Sequence, residues 1–313
     1  MLQNKNNLKQ IILITLFPSL LLFSTHGWSH GWVGKRFFPS TLATEDPFVN
    51  DELSFVMGRI KGPSEDGDLN HTTNLEAEYA KTIFPGFALS VGGNLNFVDP
   101  VGRAPKSSGF SNIEVGAKYQ LFTNAKYESL AAIGLHASVG GTGKPGLPEA
   151  DSFSVLAPGL FFGQGFGFLP ESVKYLRPFA ITTVLQANVP LSSYSVEAGE
   201  RHRTSNSMSW GGSIQYSIPY LQSVVKDLGI PAPFNRMIPV VEVSANSCVD
   251  RACMHTTGSI NPGVIWLGRK FQLGIEATVP FNDTTGRDVG MLAQFHVFID
   301  DLAPRSIGRP LFR

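Results

Sequence analysis

A histidine and a serine stand two residues apart in the sequence, at His136 and Ser138. If this stretch is a β-strand, both side chains point to the same face, and the imidazole could remove the hydroxyl proton. A serine hydrolase uses such a pair, although no third residue that would orient the histidine is recognisable nearby. The alternative interpretation is a polar histidine that faces the interior without a catalytic role.

Two cysteines, Cys248 and Cys253, lie close together in a short polar stretch. In an oxidising compartment such a pair favours a disulfide, which we predict here. Met254 and His255 follow directly, so the same stretch could instead supply soft ligands to copper. His30 could also hold a metal if processing made it the first residue. We expect no metal and no cofactor, because no stretch has the spacing of an established ligand set.

Polar side chains occupy every second position in several stretches whose other positions are apolar. If these stretches form one closed sheet, their polar faces line a common lumen. Five glutamates and one lysine would face each other there, and carboxylate-rich pores favour cations. A solvated interior without selectivity is the alternative. The candidate pore-lining residues are Glu76, Glu78, Asn94, Asn96, Glu114, Lys118, His136, Glu242, Glu276 and His296.

Lys35 and Arg36 precede these stretches, in a segment over residues 30–51 that shows no regular period. Because a buried charge must be paired, both side chains could turn inward and bind the glutamates of the lumen. Segment 30–51 would then be an N-terminal extension or a plug that closes the pore.

The alternation of side chains predicts the strands that position these residues. Between Phe87 and Phe97, odd positions are apolar or glycine, and even positions are small or polar. Such a stretch covers the roughly 9–11 residues that a tilted strand needs to cross a bilayer. Eleven further stretches repeat the pattern. We predict twelve strands near residues 52–60, 72–83, 86–98, 110–122, 128–140, 152–163, 177–189, 205–218, 238–247, 257–267, 270–279 and 288–299.

The connections between these stretches alternate in length. Tight connections such as 84–85 and 268–269 alternate with long polar ones such as 61–71 and 190–204. Outer-membrane barrels combine short periplasmic turns with long outer loops and an even strand count. We therefore predict an all-β fold, a transmembrane antiparallel up-and-down β-barrel of about twelve strands over residues 52–299.

Two of the inner connections are longer, and each contains a proline that favours the first turn of a helix. We predict short periplasmic helices that begin at Pro170 and at Pro219. In the second, apolar residues recur at helical spacing as far as Leu228. Residues 300–313 follow the last strand and form a C-terminal tail.

The first 29 residues have the features of a secretory signal peptide. Lys5 and Lys9 precede an apolar run over 11–23, and the small residues Gly27 and Ser29 mark a cleavage site. An uncleaved anchor is the alternative interpretation. We predict that the mature chain reaches the bacterial outer membrane.

The overall composition agrees with a barrel whose wall is apolar outside and polar inside. Charged residues make up 16% of the chain, against about 25% in an average soluble domain. The mean hydropathy of +0.03 is too low for a helical membrane protein. With a formal net charge of zero and no basic-aromatic patch, we expect no nucleic-acid partner.

Four sequence stretches carry a resemblance to a known family: HGWVGKRFFP at 30–39, EDPF at 45–48, the segment 220–229 and DDL at 300–302. With these the chain resembles proteobacterial outer-membrane proteins grouped with the MetA-pathway-of-phenol-degradation transporter-like barrels. This group is distantly similar to channels of the long-chain fatty acid transporter type. The resemblance implies a barrel and, by analogy, transport of small molecules, hydrophobic or aromatic compounds among them.

The expected function is therefore a channel or transporter-like barrel rather than an enzyme. A lipid-acting hydrolase that uses His136 and Ser138, and a non-conducting structural barrel, are the alternatives. The expected partners are outer-membrane lipid, the barrel-assembly machinery and an unknown small-molecule substrate.

Overall fold

The computed structural model describes residues 31–63, 69–102, 104–197, 200–250 and 255–312. Twelve antiparallel strands form a single closed barrel, as predicted, and each lies within a few residues of its predicted position. The strands are β1 (Glu52–Pro63), β2 (Leu69–Phe84), β3 (Phe87–Pro100), β4 (Ser107–Phe110 and Ile113–Asn124), β5 (Ser129–Val139), β6 (Val155–Gly165), β7 (Phe179–Pro190), β8 (Ser207–Tyr216), β9 (Met237–Cys248), β10 (Thr256–Leu267), β11 (Phe271–Pro280) and β12 (Gly290–Phe298).

The barrel closes where the last strand pairs with the first. Phe298 of β12 lies opposite Glu52 of β1, and Met291 lies opposite Arg59. Closure leaves no free edge of the sheet, which a sheet in hydrocarbon requires because lipid offers no hydrogen bonds.

Side chains alternate between the two faces of the wall. In β11, Gln272 and Glu276 are buried inside, whereas Leu273 and Ile275 on the outside are 45% and 53% exposed. The same division holds along the other strands, so the exterior is an apolar band and the interior is polar. Within the described residues, no helix is long and apolar enough to cross a membrane.

The two ends of the barrel differ as the connection lengths predict. The tight turns at 85–86, 125–128 and 268–270 lie at the end where the chain enters and leaves the barrel, which is the periplasmic end of such folds. The longer connections lie at the outer end. One of them contains a hairpin that the sequence did not predict, with strands Tyr194–Glu197 and Glu200–Arg203.

Helical turns occur in both predicted periplasmic connections and after β12: Glu171–Leu176, Ile218–Tyr220, Leu221–Val225, Phe234–Arg236 and Ile299–Leu302. Pro170 precedes the first of them, and Pro219 lies inside the second. The helical stretch after Pro219 ends at Val225, earlier than the spacing to Leu228 predicts. Lys226 is extended and Leu228 is exposed, so no buried apolar contact rewards a longer helix there.

Residues 31–51, here called the N-terminal segment, fill the periplasmic part of the barrel interior. The segment begins with a small hairpin, Trp32–Val33 and Arg36–Phe37, that the sequence did not predict. Further along, Phe38 and Phe48 pack on Leu130 of β5. Leu42 packs on Val240 and Ile265 of β9 and β10. Each such burial contributes roughly 1.5–3 kcal/mol, which offsets the cost of ordering the segment.

Strand β4 is interrupted at Ser111 and Asn112, where the outer connection over residues 140–154 folds inward. We call this connection the inward loop. Asn112 donates from its backbone N–H to the carbonyl oxygen of Glu149 over 2.7 Å. Its side-chain amide donates to the carbonyl oxygen of Asp151 over 2.8 Å. The loop thereby replaces the ladder contacts that the strand lacks at this point.

Candidate functional site in the barrel lumen

The barrel encloses a cavity of about 580 Å³, here called the lumen cavity. The N-terminal segment, the inward loop and the inner faces of several strands all contribute to its wall. Among the predicted pore-lining residues, those that line the cavity are Glu76, Glu78, Asn94, Glu114, Lys118 and His136. Their alternate positions on β2 to β5 bring them to one face, since successive residues of a strand point to opposite sides.

The wall of the lumen cavity is strongly acidic. Two side chains on it can carry positive charge, Lys118 and His136. Eight carboxylates oppose them: Glu45, Asp46, Glu52, Glu76, Glu78, Glu114, Glu149 and Asp151. A cation or a polar solute with a positive group therefore fits this lining, whereas an anion would meet repulsion.

Lys118 and His136 both hold Glu45 of the N-terminal segment. The ammonium of Lys118 lies 2.5 Å from Glu45 Oε1, and His136 Nε2 lies 3.3 Å from Glu45 Oε2. Lys118 also donates to the carbonyl oxygen of Asp46 over 2.9 Å. The two basic side chains of the cavity thus fix the segment, and carboxylates outnumber basic groups on the wall.

The two acidic residues of the N-terminal segment respond to this environment in opposite directions. Burial disfavours the charged form of Glu45, but Lys118 and His136 outweigh it and lower the pKa of Glu45 to about 2. Burial and the neighbouring carboxylate of Glu52 raise the pKa of Asp46. Glu45 thus stays charged under mild acid, while Asp46 takes up a proton.

We expect the N-terminal segment to stay bound when the pH falls from about 7 to about 4. A lowered pKa means that the stabilisation from Glu45 is present above its ordinary pKa and is lost only as the pH falls through about 2. Protonation of Asp46, whose pKa is raised, favours the bound segment over the same range. Single-channel conductance recorded across this range should stay low. A Glu45→Gln variant should conduct more at every pH, and a rise in wild-type conductance by about pH 5 would contradict the assignment.

The backbone of the N-terminal segment is held by polar side chains from the opposite wall. Glu242 of β9 accepts hydrogen bonds from the backbone N–H groups of Leu42 and Ala43, at 2.7 and 3.1 Å, and from the Thr44 hydroxyl at 2.7 Å. Gln272 donates to the carbonyl oxygen of Ser40, and Gln294 donates to that of Thr41. Each of these three wall side chains therefore forms a hydrogen bond with the main chain of the N-terminal segment.

Four of the predicted pore-lining residues point into the barrel but do not line the lumen cavity: Asn96, Glu242, Glu276 and His296. Glu242 is covered by the N-terminal segment. His296 is fully buried, with Nε2 3.4 Å from Glu52 Oε2 and its ring against Phe298. These residues belong to the packed interior rather than to the open part of the lumen.

Asn94 and Asn96 fix the inward loop. The Asn94 amide donates to Glu149 Oε2 over 2.5 Å, and the Asn96 amide donates to the carbonyl oxygen of Pro148 over 3.0 Å. Burial raises the pKa of Glu149, against the effect of the hydrogen bond from Asn94. The loop thus adds two carboxylates, Glu149 and Asp151, to the wall of the cavity.

The structure corrects the predicted role of the basic pair at the start of the segment. Lys35 is exposed. Arg36 is fully buried, but it contacts none of the five predicted lumen glutamates. Its Nε lies 3.2 Å from Glu128 in a periplasmic turn, and its guanidinium lies 3.8 Å above the ring of Tyr220. The reason is position, because the hairpin holds Arg36 near the periplasmic rim, below the lumen cavity.

Further bonds complete this contact, here called the Arg36 clamp. Arg36 donates through its two terminal nitrogens to the carbonyl oxygens of Arg177 and Pro178. The Tyr220 hydroxyl donates to Glu128 Oε1 over 2.8 Å. The clamp ties the N-terminal hairpin to two periplasmic connections and to the turn between β4 and β5.

The histidine–serine pair, the cysteine pair and the candidate metal ligands are the remaining hypotheses from the sequence. His136 and Ser138 both line the lumen cavity, and His136 contacts Glu45. Cys253 lies outside the described residues, so its disulfide with Cys248 stays a prediction. His30, Met254 and the signal peptide lie outside them too. In the described ranges, no three His, Cys, Asp or Glu side chains are arranged to hold a metal ion.

Sequence reasoning missed three carboxylates that matter here. Glu45 lies in a segment without a period, Glu128 in a tight turn and Glu149 in a long loop. A signal for the first existed, because a lone inward lysine such as Lys118 requires an acidic partner. For Glu128 and Glu149 no local pattern points to the contact.

A solved structure of another protein shares the fold of this chain. No family model and no curated protein matches the chain. Among solved structures, the chain is similar to an outer membrane channel from Pseudomonas putida F1, with a TM-score of 0.58 and 12% identity over 84% of this chain and 99% of that one. The KdgM porin, at a TM-score of 0.43 and 10% identity, and the NanC porin, at 0.46 and 11%, each match over 79% of this chain and 98% of their own.

The closed strand ring, its apolar exterior and its polar interior define a transmembrane β-barrel of the outer-membrane class. The similarity to the Pseudomonas putida channel supports the same fold. Within this class the chain is a twelve-stranded barrel of the bacterial outer membrane whose interior is partly filled by its own N-terminal segment.

Proposed function

We propose that this barrel is a channel for small cationic solutes, and that the N-terminal segment limits their passage. The observation that carries the proposal is the lining of the lumen cavity, where eight carboxylates face two basic side chains. Carboxylates inside a low-dielectric wall concentrate cations and exclude anions, because field lines are focused into the pore. The volume of about 580 Å³ suits a small organic molecule as well as a hydrated ion.

The polar wall also bears on the other candidate functions. The family resemblance suggests hydrophobic or aromatic compounds, but the acidic lining supports a charged solute better. We propose transport rather than hydrolysis, since in the described residues no hydrogen bond joins His136 to Ser138, although both line the lumen cavity. We also propose that the chain is related to the MetA-pathway transporter-like barrels. In the same proposal, the barrel-assembly machinery inserts the protein, and lipid surrounds the apolar band.

We expect the purified protein to conduct potassium in preference to chloride in planar bilayers. Glu76→Gln with Glu114→Gln should lower the potassium-to-chloride permeability ratio by about threefold, because two wall carboxylates are removed while side-chain size is kept. The measurement is the reversal potential across a salt gradient.

The matched control is Glu171→Gln, since Glu171 is an exposed carboxylate on a periplasmic connection, outside the lumen. Its permeability ratio should equal that of the wild type. Anion preference in the wild type, or an unchanged ratio in the double variant, would contradict a cation channel.

A further inference from the structure

A second, smaller cleft of about 270 Å³ lies on the outside of the barrel, near its outer rim. It is formed by the outer ends of β1, β2, β3 and β4, which are neighbours in the sheet. Basic, hydroxyl and aromatic side chains contribute to its wall, among them Arg59, His71, Thr73, Phe97, Lys106 and Ser108.

The cleft marks the level at which the apolar band ends. On β1, Met57 is an exposed apolar residue of the exterior, and Arg59 is the next outward-facing position toward the outer rim. On β3, Phe97 faces outward, and Asp99 follows it in the same direction. Outward-facing residues two positions apart are separated by about 7 Å along a strand. The charged side chains therefore lie just above the hydrocarbon, at the level of the lipid headgroups.

Among the described residues that form the cleft, basic side chains outnumber acidic ones. Lys106 lies 2.7 Å from Asp99, which is the one carboxylate on the wall of the cleft. Arg59 is exposed and His71 half-buried, and within the described ranges neither side chain has a hydrogen bond or an ion pair. An arginine at a membrane interface is stabilised by an anionic partner, and phosphate oxygens match its planar donors.

We propose that this cleft binds a phosphate group of an outer-leaflet lipid headgroup. Arg59 and Lys106 donate to the phosphate oxygens, and the hydroxyls of Thr73 and Ser108 lie within the same cleft. Phe97 is 43% exposed beside them and offers an apolar surface to the rest of the lipid. The position on the membrane-facing exterior, next to this aromatic ring, favours a phosphorylated glycolipid over free phosphate. The inference is independent of what the lumen transports.

Binding of lipid A to the detergent-solubilised full chain tests the proposal. We expect the Arg59→Gln/Lys106→Gln variant to bind lipid A about tenfold more weakly than the wild type, because two charge-assisted contacts are lost. The control is Arg287→Gln, which removes an exposed arginine of another outer loop that pairs with Asp283. Its affinity should equal that of the wild type, and the heat-dependent mobility shift in gels shows that each variant is folded.

Three results would overturn the proposal. Equal affinity of wild type and double variant would show that the cleft does not bind the headgroup. Phosphatidylethanolamine carries one phosphodiester whose charge is balanced by its own ammonium, so binding equal to that of lipid A would show that the cleft does not select the anionic phosphate groups of lipid A. Displacement of lipid A by an equal concentration of inorganic phosphate would show that the cleft binds free phosphate and not a lipid.

Discussion

Replacement of Arg36 by alanine should strongly destabilise the folded barrel. Arg36 is fully buried, forms an ion pair with Glu128 and donates to two carbonyl oxygens of the periplasmic connections. Loss of one partner of a buried pair leaves the other charge uncompensated, at a cost of about 3–5 kcal/mol. The temperature at which the protein loses its compact form in detergent gels should fall clearly below that of the wild type.

The adjacent lysine provides the control. Lys35→Ala removes an exposed charge from the same hairpin and should leave the transition temperature unchanged. Arg36→Lys should give an intermediate value, because lysine keeps the charge but loses the planar donors and the stacking on Tyr220. If Arg36→Ala unfolded at the same temperature as Lys35→Ala, the Arg36 clamp would not contribute to stability.

The second large effect concerns conductance. We expect Glu242→Ala to raise the single-channel conductance severalfold, because the carboxylate accepts three hydrogen bonds from the N-terminal segment. Hydrogen bonds to a charged group contribute about 1.5–3 kcal/mol each, and their donors would be left buried without a partner. The segment should then leave its place among the inner side chains, and planar-bilayer recordings measure the result.

A second glutamate of the barrel interior provides the control for this variant. Glu276 is also buried in the interior, but in the described residues it makes no hydrogen bond to the N-terminal segment. Glu276→Gln should conduct like the wild type. A Glu242→Ala conductance equal to that of Glu276→Gln would mean that the position of the segment does not depend on Glu242.

The barrel itself could be predicted from sequence because lipid imposes a strict rule on each strand. Outward residues such as Leu273 and Ile275 must be apolar because they face lipid, whereas inward residues such as Gln272 and Glu276 can be polar. The period of two therefore identifies the strands and also the face of each side chain. The period of two did not predict the break in β4 at Ser111 and Asn112, because a loop distant in sequence supplies the missing hydrogen bonds.

The arrangement inside the barrel was predictable only in part. The parity placed Glu76, Glu114 and Lys118 in the lumen, as the structure does. It did not reveal what they contact, because the N-terminal segment has no period and its partners lie far away in the chain. Glu242, for example, is 200 residues from Leu42. The closed strand ring brings such residues into contact, and no local sequence pattern predicts that contact.

The path of the N-terminal segment has a consequence for biogenesis. Gln272 and Gln294, which hold its backbone, belong to the last two strands, and the final strand also forms the seam with β1. Contacts between residues so far apart in the sequence form late in folding, because the entropy cost of closing the long loop precedes the free energy that the contact contributes. The segment therefore reaches its full set of contacts only when the last two strands are in place. A chain cut short before β11 would lack Gln272, Gln294 and the strand that forms the seam with β1.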